Sequence, residues 1–147
     1  MIQREAFIAS ATRASNSAAS EGVQPGFQNS ASSEITGMPV MAESHAAGAA
    51  VHVSSSTTIA DGLAVRVAIP LAVEAVNALT QRFELVSEAE LEAAVRRYDA
   101  AGIRVEGAAA APLALAQREE LPRPLVLIVT GRNIDDARFH RILSAAP

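Results

Sequence analysis

The sequence predicts an α/β fold, a partial three-layer α/β/α unit with a mostly parallel sheet. Three observations carry that expectation. Short aliphatic or β-branched runs alternate with segments whose apolar residues recur at helical spacing. Residues 125–129 are apolar at every position, as a strand covered on both faces requires. Punctuating residues fall where the alternation needs them: Pro70 at a helix start, the pair Ser87 and Glu90 at another, and Gly48 and Gly102 at helix ends.

Residues 1–36 are rich in Ala, Ser, Gln, Asn and Thr and are broken by Gly22, Pro25 and Gly26. They bury little, so a weakly ordered or divergent N-terminal segment is expected there, with one domain over residues 37–147. Residues 38–47 suit a helix closed by Gly48, and 50–53 suit a short strand before the loop 54–58. From Pro70 a helix carries Ala72, Val76 and Leu79 on one side and ends near Gln81. Residues 83–86 read as a strand. Ser87 and Glu90 form a capping box that opens the next helix, with Leu91, Val95 and Tyr98 as its apolar stripe and Glu92 paired to Arg96 on its surface. Gly102 stops it. Residues 103–105, an Ala-rich stretch 107–116 and a turn around Pro122 and Pro124 follow, then the strand 125–129, the tetrad Thr130-Gly131-Arg132-Asn133 and a helix over 135–143.

Composition narrows the function classes. A chain of 147 residues that is 50% apolar suits one domain rather than two. Aromatics make up only 3%, so the core must be packed by Ala, Val, Leu and Ile. A net charge of −4 without any run of basic residues argues against nucleic acid as a partner. The absence of cysteine leaves no disulfide or thiolate site and fits a cytoplasmic location. Residues 1–9 lack the continuous apolar stretch of a secretory signal, and 125–129 is far too short to span a bilayer, so no membrane association is expected. His45, His52 and His140 lack metal-ligand spacing and no metal is expected. All twelve basic side chains are arginine.

Three motifs stand in order along the chain: Thr58-Ile59-Ala60-Asp61-Gly62-Leu63-Ala64-Val65, then Val105-Glu106-Gly107-Ala108 with Pro112 and Leu113, then Val129-Thr130-Gly131-Arg132-Asn133-Ile134-Asp135. Together with residues 37–48, which hold Pro39, Met41, Glu43 and Ser44, they resemble the C-terminal part of the catalytic domain of threonine/serine dehydratases. These are fold type II, tryptophan-synthase-beta-like enzymes that depend on pyridoxal 5'-phosphate (PLP). The resemblance runs from about residue 37 to about 143, and Gly22 to Pro25 match it only faintly.

The resemblance implies PLP as cofactor, a small amino acid as substrate and β-elimination of water from L-threonine or L-serine, giving a 2-oxo acid and ammonia. It implies that Thr130 offers its hydroxyl to the ring nitrogen, that Glu106, Gly131 and Asn133 shape the cofactor's surroundings, and that Asp61 and Gly62 approach the substrate. Each residue also has an ordinary reading. Thr130 can simply end a strand, Asn133 or Asp135 can be an N-cap, Asp61-Gly62 is a common turn pair, and Glu106 suits a solvated helix start. The resemblance also names what these residues do not supply: the Schiff-base lysine and the glycine-rich phosphate loop, with Gln24 standing where some relatives place a metal-binding acid. Two expectations follow. One is an incomplete dehydratase, a fragment that works with a separate upstream half or as a homo-oligomer. The other is a non-catalytic α/β interaction or regulatory module built on the same scaffold.

Overall fold

The chain is described from a computed structural model over residues 4–7, 40–54, 57–80, 83–118, 121 and 124–145. Most of the 1–36 segment, the resemblance at Gly22 to Pro25, Met38, Gln81 and Pro122 lie outside the described residues. Arg4–Phe7, within that N-terminal segment, forms a strand, β1.

The capping box does what its residues predict. Ser87 Oγ accepts from the Glu90 N–H at 3.3 Å and Glu90 Oε2 accepts from the Ser87 N–H at 2.6 Å, opening helix α3 (Glu88–Ala100). Leu91, Val95 and Tyr98 are buried along one face together with Ala94, and Arg96 reaches Glu92 at 3.8 Å. Gly102 ends the helix at φ +74°, a backbone region that glycine enters without strain.

Helix α4 (Gly107–Arg118) lies at the centre. Gly107, Ala108 to Ala111, Pro112, Ala114 and Leu115 are all buried, so it is apolar nearly all round, the pattern of a helix enclosed by other elements. Its small side chains let α3 pack closely along it, and Val86, Phe139 and Ile142 complete the cluster. Leu91 and Leu115 have no exposed surface, and each contributes about 1.5–3 kcal/mol by burial.

The strand β2 (Glu84–Ser87) is shifted one residue from the expected 83–86 and pairs antiparallel with β1, Arg4 opposite Ser87 and Phe7 opposite Glu84. Arg118, at the end of α4, donates to the Leu85 carbonyl at 2.6 Å and meets Glu84 and Glu90 at 3.4 Å, fastening β2 to the central helix.

A second, smaller cluster joins Val40, Val53, Ala68 and Val73 between helix α1 (Val40–Ala47) and helix α2 (Pro70–Leu79). Pro70 stands at the first turn of α2 as expected, but the inward residue is Val73 while Leu79 is exposed. The expected strand at 50–53 reduces to a single antiparallel bridge, His52 with Val67. Ser44 is fully buried and its hydroxyl accepts from the Val51 N–H at 3.1 Å. Among the described residues no helix is long and apolar enough to cross a membrane.

The expected mostly parallel sheet is not formed among the described residues, whose one sheet has two antiparallel strands. Residues 125–129, expected as a strand covered on both faces, run without a ladder partner, and Val126 and Ile128 are 77% and 63% exposed. The physical reason lies in what such a strand needs. A run apolar on both faces is stable only with neighbours at its edges and layers above and below, and the helices described here do not cover it.

Candidate active-site cleft

Three connecting segments meet where α4 begins. The first is residues 58–63, whose chain enters a short 3-10 turn at Asp61–Leu63. The second is Glu106 with the first residues of α4. The third is residues 131–135, which lead into helix α5 (Asp136–Ser144).

Gly107 permits the first approach, since a side chain there would collide with the Ile59 carbonyl. Gly131 permits the second. A Cβ at that position would stand 2.6 Å from Glu106 Oε1, and the space is taken by the carboxylate instead. Glu106 then fastens the third segment to the helix start: its N–H donates to the Gly131 carbonyl at 3.2 Å and its Oε2 accepts from the Asn133 N–H at 3.0 Å. Asp135, not Asn133, caps α5, accepting from the Arg138 N–H at 3.0 Å.

These segments border an open cleft of about 400 Å³ lined by Ile59, Asp61, Glu106, Gly107, Asn133, Ile134, Asp135 and Arg138. Of the residues singled out in the sequence, Asp61, Glu106 and Asn133 line it. Gly62 follows Asp61 in the 3-10 turn, and Gly131 lies against the Glu106 carboxylate. Thr130 is exposed and is not among the lining residues.

Arg138 is the lining residue that sequence reasoning missed. A cation in the first turn of a helix opposes the helix dipole, and here Asp61 Oδ2, 3.8 Å from Arg138 Nη1, offsets it. The signal lay in the spacing: three residues after the N-cap Asp135, where a capping box would carry Glu, the chain carries Arg. Arg104 secures the far side of the same helix start. It donates to the Ile134 carbonyl at 2.9 Å and to Asp136, and its guanidinium lies 4.5 Å from the Phe139 ring centre. The hydrogen bond from Arg104 holds the Asp136 carboxyl below the usual carboxylate range.

The profile of a family described as pyridoxal-phosphate dependent enzyme matches residues 18–131, well over half of the chain. The chain belongs to that family. Its match covers Asp61, Gly62, Glu106, Thr130 and Gly131, ends before Asn133, and begins upstream of the resemblance read from the motifs. No curated protein matches the chain at a significant level.

Members of the family bind pyridoxal phosphate, and the cleft can be tested against that molecule. The cofactor carries an aldehyde that requires a lysine amine and a phosphate that requires a cradle of N–H donors or cations. The chain has no lysine. Its cleft presents three carboxylates, Asp61, Glu106 and Asp135, against the one guanidinium of Arg138, a balance that disfavours a phosphate dianion. These residues do not make a complete cofactor site.

Proposed function

We propose that the chain forms the substrate-facing wall of a PLP-dependent threonine/serine dehydratase, whose overall reaction converts L-threonine or L-serine to a 2-oxo acid and ammonia. The observation that carries this reading is the convergence of the three motifs, 58–62, 106–107 and 131–133, on one cleft although up to about seventy residues separate them in sequence. In this reading Asp61 accepts a hydrogen bond from the substrate hydroxyl, and Gly62 leaves room beside it. Thr130 donates to the ring nitrogen of the cofactor, while Glu106, Gly131 and Asn133 set the shape of the ring edge. Further copies of these 147 residues bring no lysine, so the amine and the phosphate cradle come from residues outside them. The exposed apolar run 125–129 is the surface such residues would cover.

Two experiments test the proposal. Alone with PLP and borohydride, the chain yields no reduced adduct at any internal residue, its only reactive amine being the N-terminus. Co-expressed with a polypeptide carrying the lysine and phosphate loop of a complete dehydratase, it restores 2-oxo acid formation. In that assembly Thr130→Ala leaves the ring nitrogen unpaired, at about 1–3 kcal/mol, so the elimination rate falls roughly tenfold or more. Thr130→Ser retains most of the rate. An active assembly indifferent to both substitutions removes Thr130 from the site. A second reading, a non-catalytic interaction or regulatory module, draws on the missing lysine; it prevails if the assembly forms and no complement restores activity.

A further inference from the structure

The segment that carries Asp61 is held by a residue outside the cleft. Glu88, in the first turn of α3, uses both carboxylate oxygens on it: Oε1 accepts from the Thr58 hydroxyl at 2.5 Å and Oε2 accepts from the Ile59 N–H at 3.0 Å. Thr58 Oγ1 in turn accepts from the Ala60 N–H at 2.8 Å, so one carboxylate and one hydroxyl fix three consecutive residues. Charge-assisted bonds of this kind are shorter and stronger than neutral ones. On its other side the segment meets α4, where Gly107 lets the Ile59 carbonyl come close. Ile59 and Ala60 are buried between the two helices, and Asp61, the next residue, is exposed to the cleft.

The turn that follows has no side-chain cap. Ala60 stands at the N-cap position of the 3-10 turn and supplies no side-chain hydrogen bond to it. Its backbone bonds are Leu63 N–H to the Ala60 carbonyl and Ala64 N–H to the Asp61 carbonyl, while Leu63 packs against the core and Asp61 reaches Arg138. A 3-10 turn has poorer hydrogen-bond geometry than an α-helix, and the hydrogen-bonded anchor at its entry is the Glu88 clamp immediately before it.

We infer that Glu88 is a positioning residue for Asp61: through Thr58 and Ile59 it fixes where the Asp61 carboxylate stands in the cleft and thereby its pairing with Arg138. The inference rests on the proposed role of Asp61, and it extends the site to a helix that contributes no cleft-lining residue. Glu88 also sits where a negative charge favours the α3 dipole, so a purely structural role must be separated from a positioning one.

Glu88→Asp makes that separation, because it keeps the charge at the helix start and shortens the side chain by one methylene. Amide hydrogen exchange and NMR on the full chain are the readouts, with Glu88→Gln and Thr58→Val as companions. In all three variants the Ile59 and Ala60 amides exchange at least about tenfold faster, the loss expected when an anchored N–H keeps about 1.4 kcal/mol less protection, while amides of Ala94 and Val95 within α3 do not change. In the parent chain Asp61→Asn shifts the Arg138 side-chain Nε–H resonance; in the Glu88→Gln background that shift disappears. The proposal is overturned if the Ile59 and Ala60 amides keep their protection in Glu88→Asp, or if the Arg138 response to Asp61→Asn persists without the clamp. Neither measurement requires catalysis. An intact clamp in an inactive assembly therefore counts against the dehydratase reading, and a loose parent turn in an active assembly counts against Glu88.

Discussion

Residues 107–115 and 125–129 are both almost wholly apolar, yet among the described residues the first stretch is the most enclosed and the second is largely exposed. The difference is not one of hydrophobicity. Helix α4 satisfies its own backbone hydrogen bonds, so it needs only side chains of matching size around it, and α3, β2 and α5 provide them. A strand satisfies its backbone only through neighbours. Burial therefore follows from whether a segment's partners lie close by, and residues 125–129 border the cleft segment 131–135 without sharing the core that supports it.

The widest gap between the two stretches appears on truncation. Leu115→Ala opens a cavity in the α4 cluster and costs about 2–5 kcal/mol, whereas Ile128→Ala, at a side chain 63% exposed, stays within about 0.5 kcal/mol. Chemical denaturation of the two variants checks this, and comparable losses would mean that residues 125–129 are packed in solution. Gly107→Ala is expected next, costing about 1–3 kcal/mol because the added methyl meets the Ile59 backbone and not a movable side chain. It should also disturb the Asp61 turn, visible as shifted Ile59 and Ala60 amides. Val126→Ser combined with Ile128→Ser changes stability little but lowers self-association, measured by sedimentation across concentration. An unchanged sedimentation profile would show that other surfaces drive association.

The sequence made the helices legible because their signals are local. Ser87 with Glu90, Gly102 after α3, Pro70 at the head of α2 and Asp135 before α5 each act within four residues of themselves. The pairing of β2 with β1 was not legible, since nothing in residues 84–87 names a partner eighty residues away. The face of α2 was misread because Val73 and Leu79 are equally apolar and only the α1 neighbour decides which turns inward. In the cleft, Asp61, Glu106 and Asn133 were found through their motifs. Arg138 and Glu88 were missed because one lies beyond the motifs and the other acts through hydrogen bonds to a distant turn.

The smallest expected effect probes the joint between the enclosed core and the open segment, at Asp136. Its carboxyl is held below the ordinary range first by the hydrogen bond from Arg104 and then by the Arg104 charge, against an opposing effect of desolvation, with His140 adding the least. A carboxyl depressed in the folded state stabilises that state above its unfolded pKa of about 3.9, and the contribution is lost as pH falls through the lower folded value. Acidification below about pH 4 should therefore loosen the start of α5, and with it the 131–135 segment, before the Leu91 and Leu115 core responds. Because Asp136 is exposed, added salt should weaken the effect. Arg104→Met should return the Asp136 midpoint, followed by its side-chain carboxyl resonance, to the ordinary carboxylate range. The variant also loses the Arg104 bond to the Ile134 carbonyl and its contact with the Phe139 ring, so stability alone cannot isolate the ion pair. The midpoint can, and if it stays depressed in Arg104→Met, then the field at the α5 start comes from the helix itself and not from its bond to the core side of the joint.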